Sequence, residues 1–308
     1  MNEIINQISD LEKQISDNLN LSKSKNTLKA YRSDFEDFEN FCRKYSFQSL
    51  PSNPKIIGLY LTNLSNQKKY STLKRRLASI NVIHKIKGYH IDCRHPLIRE
   101  NLIGIKRKIG SYQKGKKPLL YSYLIDIINL INNKLVHNNV QIIRDKAILL
   151  LGFAGGFRRS EIANLKIDDL EFVKEGLKIK LNFSKSDQFG EGYIKGIPTF
   201  EKTEICPVIT LKKWINVRDA SKNSLFYCSD KTISLIVKKY TSLIGLDPKL
   251  YSGHSLRSGF ATSTASMGAD ERSIMQMTGH KSSEMVRRYI KEANIFNNNA
   301  LDKIKFEN

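Results

Sequence analysis

The sequence predicts a mainly α-helical protein with a small antiparallel β-sheet in its second half. Apolar residues recur at helical spacing through most of the chain, whereas a regular alternation of apolar and polar residues is confined to residues 177–183. The chain has 308 residues, which is longer than a typical single domain. Two domains are therefore expected.

A short amphipathic helix is predicted over residues 1–20, and four longer helices are predicted between residues 26 and 109. Asn53 and Pro54 are typical of a helix start, because asparagine caps the free amides of the first turn and proline suits the first helical position. The four longer helices would form a small domain of their own.

The third of these helices is predicted to begin near Ser71 and to have one apolar and one basic face. His84 lies on the apolar face and is expected to pack in the core. Lys74, Arg75 and Arg76 are assigned to the opposite face, where a contact with phosphate and a solvated surface are about equally expected.

Residues 110–118 are polar and basic and contain two glycines and a proline, which is typical of a linker between domains. The predicted organisation is a helical domain over residues 1–109, a linker over residues 110–118 and a second domain over residues 119–308.

The charge of the chain favours a polyanionic partner. Lys and Arg number 51 against 30 Asp and Glu, which gives a net charge of +21. Nucleic acid is the commonest partner of so basic a protein, and a merely basic soluble protein is the alternative.

Four cysteines without a Cys-x-x-Cys pair predict neither a zinc site nor a disulfide framework. No leader or membrane-spanning apolar run is recognised, so a cytoplasmic location and no membrane partner are expected.

Before its C-terminal region, the second domain is predicted to contain four long helices, over residues 121–133, 142–154, 207–218 and 231–244, besides the helix that opens near residue 158. Between the second and third of them, residues 177–198 are predicted to form a β-hairpin with a long tip.

Residues 158–161 follow a Gly-Gly break and open a new helix. Arg158 would therefore stand at the mouth of a helix, a placement that suits anion recognition. Arg159 is the competing candidate, and either arginine would alternatively pair with Glu161 or Glu171.

The C-terminal region contains a group of residues suited to phosphate chemistry. His254 and Arg257 are three positions apart, so both leave the same face of a helical turn. Gly279 ends the next helix and makes His280 project from the turn, and Tyr289 lies nine positions further on. A tyrosine can act as a nucleophile, but at a pKa near 10 only about one in a thousand is ionised at neutral pH, so it needs basic neighbours.

Together, Gly-Phe-Arg158-Arg-Ser-Glu, His254-x-x-Arg257, Gly-His280 and Tyr289 resemble the signature of the tyrosine recombinases, the phage integrase family. The family usually has Leu where this chain has Phe157, a difference in packing rather than chemistry. The resemblance implies an N-terminal helical core-binding (SAM-like) domain and a C-terminal tyrosine-recombinase catalytic domain.

The resemblance also implies the roles of the site residues. Arg158 and Arg257 would hold the non-bridging oxygens of the scissile phosphate and neutralise the charge of the transition state, and His280 would donate a further hydrogen bond. Tyr289 would attack phosphorus while His254 assists the loss of its proton. The product would be a 3′-phosphotyrosyl link to DNA and a free 5′ hydroxyl. Because one phosphodiester is exchanged for another, no ATP, metal or other cofactor is expected.

A lysine on the hairpin completes the implied set. Ser-Lys185-Ser-Asp-Gln resembles the setting of the family's catalytic lysine, which would protonate the departing 5′ oxygen as a general acid. Lys195 is the second candidate for this role.

The partners implied by the resemblance are double-stranded DNA and further copies of the chain in a tetramer on paired DNA sites, with an accessory DNA-bending protein as a further candidate. The apolar tail over residues 290–308 is expected to dock on a neighbouring protomer.

Three other functions are considered: a type IB topoisomerase, a DNA-binding protein without catalysis, and a phosphate-using enzyme of another fold. The last would need a glycine-rich phosphate loop or metal ligands, and neither is recognised in the sequence.

Overall fold

The computed structural model describes residues 22–112, 115–134, 139–181 and 192–293, together with residues 11, 13, 14 and 18. The chain divides into two compact units, Met1–Lys114 and Gly115–Asn308. Most of the predicted helix over residues 1–20, and the predicted tail from residue 294 onwards, lie outside the described residues.

The first unit contains the four predicted helices around one apolar core. They are α1 (Lys25–Lys44), α2 (Pro54–Ser65), α3 (Tyr70–Ile86) and α4 (Pro96–Ile109). The predicted cap of α2 is confirmed, because the side chain of Asn53 accepts a hydrogen bond of 3.0 Å from the amide of Ile56.

His84 is a core residue, as predicted. Its ring is fully buried on α3, with Nδ1 2.8 Å from the carbonyl of Ile80. The amide of Ser52 donates to Nε2 at 3.0 Å. Both ring nitrogens therefore have partners within the first unit, and burial lowers the pKa of the ring.

The prediction that Arg76 lies on the basic face of α3 is wrong. This residue follows Leu73 by three positions, so it shares the buried face of the helix. Its guanidinium pairs with Asp37 and donates to the hydroxyl of Tyr60 at 2.5 Å. Arg76 is only 8% exposed, so it packs in the core and is not accessible to a phosphate.

The second unit consists of helices packed around a large core, with a small sheet. In chain order its elements are α5 (Tyr121–Lys134), α6 (Val140–Ala154), α7 (Arg159–Asn164), β1 (Leu170–Val173), β2 (Gly176–Leu181), β3 (Tyr193–Pro198), α8 (Pro207–Val217), α9 (Asp230–Leu243), α10 (His254–Ser266), α11 (Glu271–Thr278) and α12 (Ser283–Ala293). None of the helices described in either unit has both the length and the apolar character needed to cross a membrane.

The sheet has one more strand than predicted. The strands are antiparallel in the order β1-β2-β3, and Leu177 of β2 lies opposite Phe172 on one side and Ile197 on the other. The extra strand β1 has only four residues and no buried position. A short edge strand of this kind lacks the alternation on which the prediction depended.

A short segment before α5 is fixed against α10. The amide of Leu119 donates to the carbonyl of Ser255 at 2.9 Å, and the amide of Tyr121 donates to Oγ of Ser263 at 2.9 Å. Gly259 lies between these two contacts. A Cβ at Gly259 would come within 1.9 Å of the carbonyl oxygen of Leu119, so a glycine is required there.

We expect Gly259→Ala and Gly104→Ala to change stability in opposite directions. Gly259→Ala must displace backbone and should destabilise the second unit by about 1–3 kcal/mol. Gly104 lies in α4 with no atom within 4 Å of the added Cβ, so its replacement should stabilise the first unit by about 1 kcal/mol through helix propensity. Urea unfolding of both variants tests this, and a neutral Gly259→Ala would contradict the close contact with Leu119.

Candidate active site

A glycine turn places Arg158. Helix α6 ends at Ala154 with Gly155 as its C-cap, and Gly156 has a φ of 53°, in the left-handed region. A Cβ at Gly155 would lie 2.1 Å from the buried ring of Phe157. The turn therefore depends on small residues, and it delivers Arg158 to the N-cap position of α7.

Arg158, and not Arg159, belongs to the site. Nη1 of Arg158 pairs with Oε1 of Glu161 at 2.6 Å, and Nη2 lies 3.5 Å from the carbonyl of Gly279. The predicted pairing with Glu161 thus exists, and it fixes one edge of the guanidinium. Arg159 is half exposed and pairs with Asp230 at 3.1 Å.

Arg257 is almost completely enclosed, with 1% of its surface exposed. Its Nη1 donates to the carbonyl of Gly156 at 3.0 Å, while Nη2 is buried and has no hydrogen-bond partner among the described residues. Burial, reinforced by the charge of Arg158, lowers the pKa of Arg257 to about 10. A buried guanidinium with an unsatisfied donor is suited to an anionic ligand.

His254 and Tyr289 meet across two helices. His254 opens α10, and its Nε2 lies 3.4 Å from the hydroxyl of Tyr289 on α12. His254 is exposed at the surface, yet the surrounding protein atoms partly desolvate its ring. This desolvation, together with Arg257 and Arg158, lowers the pKa of His254. The ring is therefore neutral at neutral pH and able to accept a proton.

Apolar packing and an ion pair hold helix α12 against the rest of the second unit. Val286 is fully buried in a small cluster with Ala261 and Ile274, and Tyr289 packs against the same cluster. Arg287 pairs with Glu271 on α11 at 2.9 Å. These contacts place the tyrosine in the site of its own chain.

His280 follows the left-handed C-cap of α11, as predicted. Gly279 has a φ of 64°, and His280 is 7% exposed. Its Nδ1 lies 2.7 Å from Oγ1 of Thr278, and its ring centroid lies 6.0 Å from that of Tyr289. Burial, with added repulsion from Arg257, lowers the pKa of His280 to about 3. Thr278 was not a candidate from sequence, because a hydroxyl before a histidine has no recognisable pattern.

Of the two candidate lysines, Lys185 lies outside the described residues. Lys195 is on β3 and is 2% exposed. Its Nζ donates to the carbonyl of Gly155 at 2.5 Å and to the carbonyl of Met277 at 2.6 Å, and it lies 4.3 Å from the ring centroid of Phe157. It thus connects the turn before Arg158 with the turn before His280.

The site opens into a cavity of about 720 Å³, lined by Arg158, Lys195 and His280 among others. Its lining contains five basic residues, since Arg272 and Lys281 join these three, and two acidic ones, Glu161 and Glu271. In the part of the chain that the structure describes, no group of His, Cys, Asp and Glu has an arrangement suited to a metal ion.

Comparison with known proteins supports the same family. The model of the phage integrase family matches residues 126–294, more than half of the chain. The integrase/recombinase xerD homolog of Selenomonas ruminantium is 39% identical over 301 residues, covering 93% of this chain and 87% of the relative. Tyrosine recombinase XerC of Thermodesulfovibrio yellowstonii is 27% identical over 272 residues, covering 86% and 85%.

Solved structures share the fold. XerH site-specific recombinase bound to a palindromic difH substrate has a TM-score of 0.65 at 18% identity, covering 89% of this chain and 78% of that one. A lambda integrase dimer bound to a COC′ core site has a TM-score of 0.61 at 17% identity, covering 97% and 98%. With the family model and the Selenomonas relative, these findings establish that the chain belongs to the phage integrase family, the tyrosine recombinases.

Proposed function

We propose that this protein is a site-specific DNA recombinase that cleaves and rejoins strands through a 3′-phosphotyrosyl intermediate. The observation that carries the proposal is the 3.4 Å approach of the Tyr289 hydroxyl to Nε2 of His254, in a site that also contains Arg158, Arg257 and His280. Hydrogen bonds between catalytic groups are often long before substrate binds, so this separation is compatible with proton transfer.

In the proposed reaction, the hydroxyl oxygen of Tyr289 attacks the scissile phosphorus and His254 accepts the phenolic proton. The bond from phosphorus to the 5′ oxygen breaks as the new P–O bond forms. Arg158 and Arg257 hold the non-bridging oxygens, whose negative charge they neutralise in the transition state. Each preorganised donor of this kind is typically worth about two to three orders of magnitude in rate. Attack by the free 5′ hydroxyl of another strand reverses the chemistry and rejoins the DNA.

We assign the proton donor for the departing 5′ oxygen to Lys185, by its resemblance to the family's catalytic lysine. Lys195 is less suited to this role. Its Nζ is already engaged by two carbonyl oxygens, those of Gly155 and Met277. A lysine that donates to both turns is better suited to holding the site together than to releasing a proton to substrate.

The proposed partners follow from the chemistry and from the relatives. The XerH and lambda integrase structures are complexes with DNA, and the lambda integrase is a dimer. We propose that this chain binds double-stranded DNA and assembles as a tetramer on paired sites, with the helical domain over residues 1–109 also contacting DNA and the linker over residues 110–118 joining it to the catalytic domain. Its four cysteines are free thiols, which suits the reducing cytoplasm where we place the enzyme.

We expect Tyr289→Phe to abolish covalent protein–DNA adducts and to leave DNA binding nearly unchanged, because only the nucleophilic oxygen is lost. The measurement is recovery of adducts from a DNA library, with sequencing of the attached ends. Tyr123→Phe, elsewhere in the second unit, is the matched control and should form adducts normally. Adduct formation should continue in EDTA and without nucleotide.

Adducts at one paired, inverted sequence are the expected result. Adducts scattered over loosely preferred sites would favour a type IB topoisomerase, and cleavage by Tyr289→Phe would contradict the assignment of the nucleophile. DNA binding without adducts in the wild type would favour a binding protein that lacks catalysis.

A DNA substrate with sulfur at the 5′ bridging position should show which of the two lysines, Lys185 or Lys195, acts as the general acid. A thiolate leaves without a proton because its conjugate acid has a pKa far below that of an alcohol, so a missing general acid no longer matters. Lys185→Ala should cleave the oxygen substrate at least about 100-fold more slowly and should recover on the sulfur substrate. Lys195→Met should be slow on both. Recovery of Lys195→Met alone would transfer the general-acid role to Lys195.

The buried position of Lys195 predicts a pH dependence of stability. Burial lowers its pKa from 10.5 to about 7. Between these two values the unfolded chain binds more protons than the folded chain, so stability should rise with pH. We expect the free energy of unfolding of the wild type, relative to Lys195→Met, to rise between pH 7.5 and 9.5 by up to about 1.4 kcal/mol per unit. Urea unfolding of both proteins at several pH values measures this. If the free energies of unfolding of the wild type and of Lys195→Met ran parallel over this pH range, the prediction would be contradicted.

A further inference from the structure

Thr278 is the last residue of α11 and makes two short contacts through one hydroxyl. Its Oγ1 lies 2.6 Å from the carbonyl oxygen of Ile274 and 2.7 Å from Nδ1 of His280. Thr278 is 1% exposed and His280 is 7% exposed. At such distances each contact requires a proton between the two heavy atoms.

The protons available to these contacts decide which group donates. A threonine hydroxyl has one proton, and a carbonyl oxygen has none. If the hydroxyl proton pointed at Nδ1, Oγ1 and the Ile274 oxygen would face each other at 2.6 Å without a proton. The hydroxyl therefore donates to Ile274, in the usual bond of a helical threonine to the carbonyl four residues earlier. The proton of the second contact must then be on Nδ1 of His280.

We propose that Thr278 is a positioning residue that holds His280 as the Nδ1–H tautomer and leaves Nε2 as a proton acceptor in the resting enzyme. The tautomer follows from geometry alone, whereas its catalytic consequence rests on the proposed function. None of the roles implied by the family resemblance included Thr278.

The surroundings of His280 keep the ring neutral, so its tautomer matters. The groups that act on the ring are Arg158, Lys195, His254, Arg257 and Tyr289. Glu161, Glu271, Arg272 and Lys281 line the same cavity. The nearby carboxylate of Glu161 is already paired with Arg158. Burial and the neighbouring cations lower the pKa of His280 to about 3. At neutral pH the ring therefore has a single proton, on Nδ1.

This tautomer sets a condition on phosphate binding. The non-bridging oxygens of a phosphodiester only accept hydrogen bonds, so Nε2 can bind one only after taking up a proton itself. The negative charge of a bound phosphate favours the imidazolium and supplies the driving force. Engagement of the phosphate by His280 is thus coupled to the uptake of one proton.

Nitrogen NMR of the imidazoles in the DNA-free protein tests the tautomer directly. Nδ1 of His280, assigned by comparison with His280→Gln, should give a protonated-type shift, and Nε2 an unprotonated-type shift. Thr278→Ser should keep this pattern. Thr278→Val removes the acceptor and should mix or invert the two tautomers. Protonated Nε2 in the wild type, or an unchanged pattern in Thr278→Val, would overturn the proposal.

Thr241→Val is the matched control, since Thr241 is fully buried in α9, bonds the carbonyl of Val237 at 2.9 Å and has no hydrogen bond to any histidine that the structure describes. Its His280 signals and adduct rate should match those of the wild type. On the DNA recovered from wild-type adducts, Thr278→Val should form adducts about tenfold more slowly, and Thr278→Ser should restore the rate. A normal rate in Thr278→Val would overturn the positioning role. Absence of adducts in the wild type would reject the proposed function. The tautomer of His280 would still be decided by the NMR result.

Discussion

Three cationic side chains are held close together in a largely buried site of the second unit, and the turns and helix ends around them are arranged to offset their mutual repulsion. Arg158, Arg257 and Lys195 share the nearby carboxylate of Glu161. Removing charges from water is costly unless they find hydrogen-bonded partners. The consequence is visible in the pKa of Lys195, which burial lowers to about 7. A phosphodiester is the kind of ligand that relieves such a site.

Main-chain carbonyls supply further partners for these cations. Gly155, Gly156, Met277 and Gly279 each direct a carbonyl oxygen at one of them. These residues lie at the C-terminal ends of α6 and α11, where free carbonyls and the negative end of the helix dipole are concentrated. Two helix ends thus stabilise the cations without neutralising them. A second carboxylate would bind the same guanidiniums more strongly, and a phosphate would then have to displace it.

The helices of both units were predictable because each buries an apolar stripe with a regular period. His84 and the start of α2 at Asn53 followed from the same local rules. Arg76 did not, because its charge predicts exposure whereas its position, three residues after Leu73, places it on the buried face. The short edge strand β1 lacked any periodic signal.

The candidate site likewise has a part that the sequence predicts and a part that it does not. Arg158, His254, Arg257, His280 and Tyr289 were named from motifs, and the structure brings all five together. Their catalytic roles remain predictions, and Lys185 lies outside the described residues. The supporting contacts were out of reach of the sequence. Thr278 contacts His280 two positions further on, but a hydroxyl before a histidine has no recognisable sequence pattern. The carbonyls of Gly155 and Met277, which bind Lys195, belong to turns distant in the chain that only the packing of the folded unit brings together.

The same packing determines the protonation of the site. Burial and like charge keep His254 and His280 neutral, so the resting site combines fixed guanidinium cations with neutral imidazoles. The guanidiniums bind an anion without changing their own charge. The imidazoles can respond to it, because a phosphate placed among them offsets the repulsion that lowers their pKa values. In the proposed mechanism, a bound phosphate would therefore make His254 a better acceptor of the Tyr289 proton, which would link activation of the nucleophile to the presence of its target.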